Sequence, residues 1–236
     1  MKTGLLILNI LLISAVVFLF VRGNFWNKTK NHLREKRNIE NTHTYDMNRM
    51  YQEKKDMHTV YDGKAKIVMF GDSHTEFAEW HELLAETGVL KRGIGGDITE
   101  GMLNRIETVL KHEPEICFFM GGVNDFINRV SYSKTVESII EIIRVLKEND
   151  IRPVIQSVLY VGRSYPNNER INTLVERINK ELIIISDAKG ADYIDLNKYL
   201  AENGFLKEKY TYDGLHLNAD AYEIWARIIN EYLGSE

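Results

Sequence analysis

Short apolar runs alternate with amphipathic stretches from residue 64 onward, and this alternation limits the fold more than any other feature of the sequence. Apolar runs of this length predict buried strands at 65–70, 115–120, 152–159 and 192–196. Stretches with apolar residues at helical spacing predict helices at 76–86, 99–112, 133–149, 168–189 and 219–233. Strands that alternate with helices in this way form a parallel sheet with helices on both faces. The sequence therefore predicts an α/β fold.

An apolar run without charged residues, from Gly4 to Val21, is the second constraint. As a helix, its 18 residues would be about 27 Å long, close to the roughly 30 Å hydrocarbon core of a membrane. A cleaved signal peptide usually has a shorter apolar stretch and small residues at its cleavage site, whereas this run ends in Phe-Leu-Phe-Val. We therefore expect residues 1–22 to be an uncleaved transmembrane anchor that contacts the membrane through residues 4–21.

The side of the membrane on which the rest of the chain lies is open. Basic residues after the run favour the cytoplasm, whereas a short head containing Lys2 is typical of an anchor that exports the downstream domain, and we favour export slightly. Residues 23–63 are polar and predict a stalk or solvated linker with some helix at 41–55. Residues 64–236 form the predicted folded domain.

Composition excludes some classes of protein. The net charge of −4 gives no reason to expect a nucleic-acid partner, which would favour a strongly basic face. A single cysteine, Cys117, rules out an intramolecular disulfide bond, and its place in an apolar run indicates a buried thiol.

Two glycine-containing motifs follow the first predicted strand. In Gly71-Asp72-Ser73, the serine hydroxyl would point beyond the sheet edge, where the serine N–H can face a developing oxyanion. Alternatively, these residues only cap the next helix. In the segment 93–97, three glycines in four residues would let the backbone approach a ligand closely and supply an N–H donor.

Two further motifs carry an amide, a carboxylate and an imidazole. Asn124 follows a predicted strand in the segment 121–125, where its amide could donate to an oxyanion or merely form a turn. Asp213 precedes His216 by three residues, so the carboxylate can accept from one ring nitrogen while the other takes a proton from a serine. Alternatively, the histidine is a structural group. Because ligands bind beyond the carboxyl ends of parallel strands, we expect the motifs to meet at one sheet edge.

In their order along the chain, the four motifs resemble those of the SGNH, or GDSL-type, hydrolase family over residues 64–233. Residues 93–99 are most similar to its platelet-activating-factor acetylhydrolase-like branch. The resemblance implies a flavodoxin-like three-layer α/β/α sandwich with a parallel sheet. It also implies a serine esterase that needs no metal or organic cofactor.

The resemblance further implies a role for each matching residue. Ser73 matches the nucleophile, and Asp213 and His216 match the other two members of a catalytic triad. The oxyanion hole would comprise the backbone N–H groups of Ser73 and Gly96 and the side-chain amide of Asn124. His74 departs from the family pattern, which more often has an apolar residue after the serine; it either lines the acyl pocket or caps the helix.

The expected reaction is hydrolysis of small acyl esters, O-acetyl esters foremost, through an acyl-serine intermediate. The substrate would be an acetylated carbohydrate or a lysolipid. Candidate pocket residues are His74, Asp125, Phe126 and Arg163; the arginine either pairs with an anionic substrate or is solvated.

Alternatives are a lysophospholipase-type lipid esterase and an acyltransferase with the same triad. A metallophosphoesterase would need an Asp-x-His motif that the first strand lacks, and a non-catalytic binding module would typically have lost a triad member.

Overall fold

The domain is built on five short parallel strands. A computed structural model describes residues 49–234. The strands of the sheet are β1 (Ile67–Gly71), β2 (Val89–Gly93), β3 (Ile116–Met120), β4 (Arg152–Gln156) and β5 (Asp192–Ile194). A separate antiparallel hairpin pairs β6 (Ala201–Glu202) with β7 (Phe205–Leu206).

Helices connect these strands. They are α1 (Arg49–Val60), α2 (Ser73–Glu76), α3 (Trp80–Leu83), α4 (Thr99–Asn104), α5 (Glu107–Leu110), α6 (Val123–Ile127), α7 (Tyr132–Glu148), α8 (Asn168–Lys189), α9 (Asn197–Leu200) and α10 (Ala219–Gly234). A 3-10 turn spans Glu208–Tyr210.

The order of strands across the sheet is β2-β1-β3-β4-β5, with every neighbouring pair parallel. This is the flavodoxin-like doubly wound order, so the predicted α/β fold with a parallel sheet flanked by helices is confirmed. Strand order reverses between β1 and β3, and open sheets of this kind bind ligands at that switch point. The Ser73 and Asn124 motifs follow these two strands directly.

Side chains on alternate strand positions build two cores. Val68 and Phe70 of β1 pack under the face covered by α4, α7 and α8, and Cys117 is buried in the same cluster. Ile67 and Met69 point to the opposite face, where they meet Trp225 of α10. Because both faces are covered, the central strands β1 and β3 are buried and apolar throughout their length, which explains why their positions could be predicted.

Strand β2 was not predicted. Its sequence, Val-Leu-Lys-Arg-Gly, carries two charged residues, and it lies at the edge of the sheet with its first three residues only partly buried. The Arg92 guanidinium is nevertheless buried, because it donates to the carbonyl of Thr108 and lies 2.6 Å from His112 Nε2.

Two predicted helices are each divided in the structure. Residues 76–86 form the end of α2 and then α3, and Trp80 Nε1 closes the turn between them by donating to the carbonyl of Thr75. Phe77 is therefore 56% exposed rather than directed inward as predicted. Residues 99–112 divide into α4 and α5 at Arg105, whose side chain leaves the helix surface for a buried partner.

Helix α1 lies within the segment predicted to be a stalk, yet it packs on the sheet domain. Tyr51 is 1% exposed, clusters with Ile94 and Ile98, and donates from its hydroxyl to the carbonyl of Gly101 at 2.9 Å. The solvated-linker interpretation is thus wrong for this helix, because one turn of it buries an aromatic side chain. The predicted domain boundary at residue 64 stays a prediction.

The predicted membrane anchor, residues 4–21, lies outside the described residues, as does the 41–48 part of the predicted stalk helix. Within residues 49–234, no helix is both long enough and apolar enough to cross a membrane.

Candidate active site

Ser73 is the first residue of α2 and follows the end of β1 by a single turn residue, Asp72. The Asp72 carboxylate caps this turn by accepting from the backbone N–H of His74 at 3.0 Å. A Cβ at Gly71 would lie 2.4 Å from the carbonyl oxygen of Met120, so only glycine fits where β1 meets β3. The tight turn leaves the Ser73 side chain at the switch point of the sheet.

The structure brings Ser73, His216 and Asp213 into one chain of hydrogen bonds. His216 Nε2 lies 3.2 Å from Ser73 Oγ, and His216 Nδ1 lies 2.6 Å from Asp213 Oδ2. With the proton on Nδ1, the ring donates to the carboxylate and Nε2 can accept from the serine hydroxyl. This is the orientation that general-base activation of a serine requires.

Backbone hydrogen bonds fix the loop that carries Asp213 and His216. Asp213 Oδ1 accepts from the N–H groups of Leu215 at 2.9 Å and His216 at 2.8 Å. Burial by itself would raise the pKa of Asp213, but these bonds and the His216 side chain outweigh it and lower the pKa to about 2. Gly214 has φ +79°, a left-handed conformation that favours glycine, and its carbonyl accepts from Gly162 N–H at 2.7 Å.

The predicted oxyanion residues border the same site. Gly96 is exposed with φ +74°, and a Cβ on its neighbour Gly95 would come 3.9 Å from Ser73 Cβ. Asn124 Nδ2 donates to the carbonyl of Asp97 at 3.0 Å. The same amide also donates to Asp72 Oδ2 at 3.4 Å, so this long contact must give way for its second N–H to serve an oxyanion.

Glu76 holds the glycine loop in place, and sequence analysis missed it. Its Oε2 accepts from the N–H of Gly95 at 2.6 Å, and its Oε1 lies 2.8 Å from Lys54 Nζ of α1. Helix α1 is thus linked by an ion pair to the loop that carries Gly96. No local pattern marks Glu76, because both of its partners are distant in sequence.

Arg105 is a second residue that sequence analysis missed. Its fully buried guanidinium donates to Asp97 at 2.7 Å, to the carbonyl of Gly71 at 2.8 Å and to the carbonyl of Arg92 at 2.9 Å. It therefore joins the ends of β1 and β2 to the loop after β2. Burial raises the pKa of Asp97 to about 6 although the Arg105 charge opposes this shift. The only signal in the sequence is an arginine among the apolar positions of a helix.

The candidate pocket residues are mostly not at an open surface. Asp125 and Phe126 are both 0% exposed. Asp125 accepts from the N–H and hydroxyl of Thr99 and from the hydroxyl of Thr135, and burial raises its pKa to about 7. These two residues belong to the core, so the structure does not support a pocket-lining role for them.

Of the other two candidates, His74 is buried, whereas Arg163 is exposed and its role at the pocket stays a prediction. The Arg163 guanidinium stacks 4.1 Å from the centre of the Phe205 ring, and His74 is 1% exposed. Two aromatic residues that were not predicted lie at the surface instead. The Phe77 ring is 5.1 Å from the His216 ring, and Tyr212, next to Asp213, is 94% exposed.

A doubly wound sheet with a Ser-His-Asp hydrogen-bond chain at its switch point is the arrangement of a serine hydrolase. A model of the GDSL-like lipase/acylhydrolase family matches residues 69–224. The chain belongs to this family, and it is a hydrolase that acts on ester bonds.

Two individual relatives and one solved structure are similar to this chain. Platelet-activating factor acetylhydrolase IB subunit alpha1 of Rattus norvegicus is 28% identical over 186 residues, which cover 73% of this chain and 76% of the relative. An N-acylneuraminate cytidylyltransferase of Streptococcus agalactiae serotype V is 25% identical over 169 residues, 70% of this chain but only 38% of that protein's length. The crystal structure of a GDSL-like lipase from Bacteroides thetaiotaomicron has a TM-score of 0.66 at 20% identity, and the match covers 78% of this chain and 97% of the lipase.

Proposed function

We propose that the protein hydrolyses short acyl esters, O-acetyl esters foremost, through an acyl-enzyme on Ser73. The observation that carries the proposal is the 3.2 Å contact between His216 Nε2 and Ser73 Oγ, together with the Asp213 carboxylate at the other ring nitrogen. A general base must lie within hydrogen-bond reach of the proton that it removes. His216 meets this requirement with respect to the Ser73 hydroxyl.

The proposed reaction has two halves. His216 Nε2 takes the proton of Ser73 as Oγ attacks the ester carbonyl, and the tetrahedral oxyanion is held by the N–H groups of Ser73 and Gly96 and by the Asn124 amide. Collapse breaks the ester bond, and the leaving alkoxide takes the proton from His216. Water then attacks the acyl group as His216 removes its proton, and collapse releases the carboxylic acid while Ser73 recovers its proton.

Two observations support a short acyl group on a carbohydrate. The rat relative of 28% identity is named as an acetylhydrolase. Phe77 and Tyr212 also present exposed aromatic faces beside the loop that carries Asp213 and His216, where the ring of a sugar can stack. A lysophospholipid and an acyltransferase reaction with the same triad are the alternatives. We further propose that residues 4–21 anchor the enzyme in a membrane. Export of the catalytic domain is slightly favoured, and the cytoplasmic side is the alternative.

The role of Ser73 is tested with p-nitrophenyl acetate. Ser73→Ala should abolish hydrolysis, whereas Ser133→Ala, at an exposed position of α7, should retain wild-type activity. Circular dichroism should be the same for both variants. Full activity in Ser73→Ala would remove this residue from the mechanism.

The substrate is tested by comparing kcat/KM for p-nitrophenyl acetate, butyrate and octanoate, with an acetylated xylose and lysophosphatidylcholine assayed alongside. We expect acetate to exceed octanoate by about tenfold or more, because a small acyl site rejects added methylenes. A preference for octanoate and lysolipid would favour the lipid esterase. Ester formation with an added sugar in preference to water would favour the acyltransferase.

A further inference from the structure

His74 is a buried histidine whose two ring nitrogens both face hydrogen-bond acceptors. Nδ1 lies 3.1 Å from Asp72 Oδ1, and Nε2 lies 2.9 Å from the carbonyl oxygen of Leu215. The side chain is 1% exposed, so water does not replace either partner. The ring therefore bridges the nucleophile turn and the loop that ends in His216, across 141 residues of sequence.

When the Asp72 carboxylate is ionised, only one protonation state of the His74 ring makes a hydrogen bond at both contacts. A neutral imidazole has a single N–H and would leave one acceptor against a ring lone pair, whereas an imidazolium donates to both. Asp72 Oδ1 also accepts from the backbone N–H of His74 at 3.0 Å, and Oδ2 accepts from the Asn124 amide at 3.4 Å, so both carboxylate oxygens face donors. Burial acts to lower the pKa of His74, but the Asp72 charge, its hydrogen bond and the Leu215 carbonyl together raise it above the ordinary value of 6.5.

The peptide group that His74 contacts is the one that leads into the proposed base. The carbonyl of the Leu215–His216 peptide accepts from the His74 ring, and the N–H of the same peptide donates to Asp213 Oδ1 at 2.8 Å. A rigid planar peptide held at both ends fixes the backbone of His216. The centres of the His74 and His216 rings lie 6.0 Å apart, so His74 acts on His216 through this peptide and not through direct contact between the rings.

We propose that His74 is a positioning residue: as an imidazolium paired with Asp72, it fastens the His216 loop to the nucleophile turn and sets the distance from the base to Ser73. This inference rests on the proposed roles of Ser73 and His216.

The groups that face His74 are consistent with a cation. Asp72 lies on its own turn, and Asp213 acts from the loop that His74 holds. From α10, the Tyr222 hydroxyl donates to the backbone carbonyl of His74 at 2.8 Å. His216 is the one titratable side chain among these that could add positive charge, and it is oriented toward its own carboxylate, Asp213.

The protonation state is measured directly by ring 15N NMR of the full chain in detergent micelles, with 15N-labelled histidine. We expect both nitrogens of His74 to carry protons at pH 7. The signals are assigned by their loss in His74→Gln, or by substitution of each of the other histidines if that variant fails to fold. A neutral ring at pH 7, with a proton missing from either nitrogen, would overturn the proposal. This measurement is independent of activity, so it separates failure of this proposal from failure of the Ser73 mechanism.

The positioning role is measured by kinetics on p-nitrophenyl acetate. His74→Gln should lower kcat about tenfold with KM nearly unchanged, because the ester still binds while the base is misplaced. His81→Gln, whose side chain is 64% exposed on α3, is the matched control and should retain wild-type values. The wild type should lose kcat as pH rises through the raised pKa of His74, and His74→Gln should lack that alkaline decline. Wild-type kcat together with an unchanged pH profile in His74→Gln would refute the proposal.

Discussion

Replacing Tyr51 with alanine tests whether helix α1 is an integral part of the catalytic domain. The side chain is 1% exposed among Ile94 and Ile98, and its hydroxyl donates to the carbonyl of Gly101. Truncating a buried aromatic residue to alanine lowers the free energy of unfolding by about 3–5 kcal/mol. Loss of a hydrogen bond such as that of the Tyr51 hydroxyl contributes about 1 kcal/mol. Since the free energy of unfolding of a small domain is only about 5–15 kcal/mol, Tyr51→Ala should remove a large share of it.

The assay is urea unfolding of the full chain in detergent, followed by the fluorescence of the buried tryptophans Trp80 and Trp225. Tyr51→Phe should lose only about 1 kcal/mol, because it keeps the ring and removes the hydroxyl. Met57→Ala, on the same helix but 66% exposed, is the matched control and should change the free energy of unfolding by about 0.5 kcal/mol or less. If Tyr51→Ala is no more destabilising than Met57→Ala, then α1 does not pack as described.

Three further predictions concern the site. Glu76→Ala should lower kcat about tenfold or more, because the N–H of Gly95 loses its acceptor next to Gly96, the proposed oxyanion donor. Glu76→Gln keeps an acceptor and should lower kcat much less. Steady-state kinetics of the two variants tests this. Asn124→Ala should lower kcat by about 10² to 10³ with little change in KM, and an effect on KM alone would contradict an oxyanion role. The pKa of Asp213 is lowered from 3.8 to about 2, so its contribution to stability is complete above pH 3.8 and is lost as pH falls through about 2. The difference in unfolding free energy between wild type and Asp213→Asn should shrink across that window.

Much of the fold could be predicted from the sequence because its main elements are buried on a regular period. Helix α8 has the predicted bounds of 168–189, and β3 begins one residue later than predicted. Both bury a continuous or evenly spaced set of apolar side chains. Strand β2 could not be found in this way, because it is an edge strand with charged residues whose burial depends on partners elsewhere in the chain.

The same distinction holds within the site. Ser73, Asp213 and His216 could be placed together because each belongs to a short local motif and the sheet brings strand ends to one edge. Glu76, Arg105 and the cationic state of His74 could not, because each depends on one or two contacts between residues far apart in sequence. Phe77 was placed inward by helical periodicity, and the break between α2 and α3 turned it outward beside His216.

The most direct measurement of the central claim is covalent labelling with a fluorophosphonate, which reacts with an activated serine, followed by mass spectrometry of the digested protein. Our account predicts one modified residue, Ser73, with loss of esterase activity in proportion to labelling and a much slower reaction in His216→Ala. An enzyme that stays fully active when Ser73 is labelled, or that is inactivated by modification of a different serine, would contradict it.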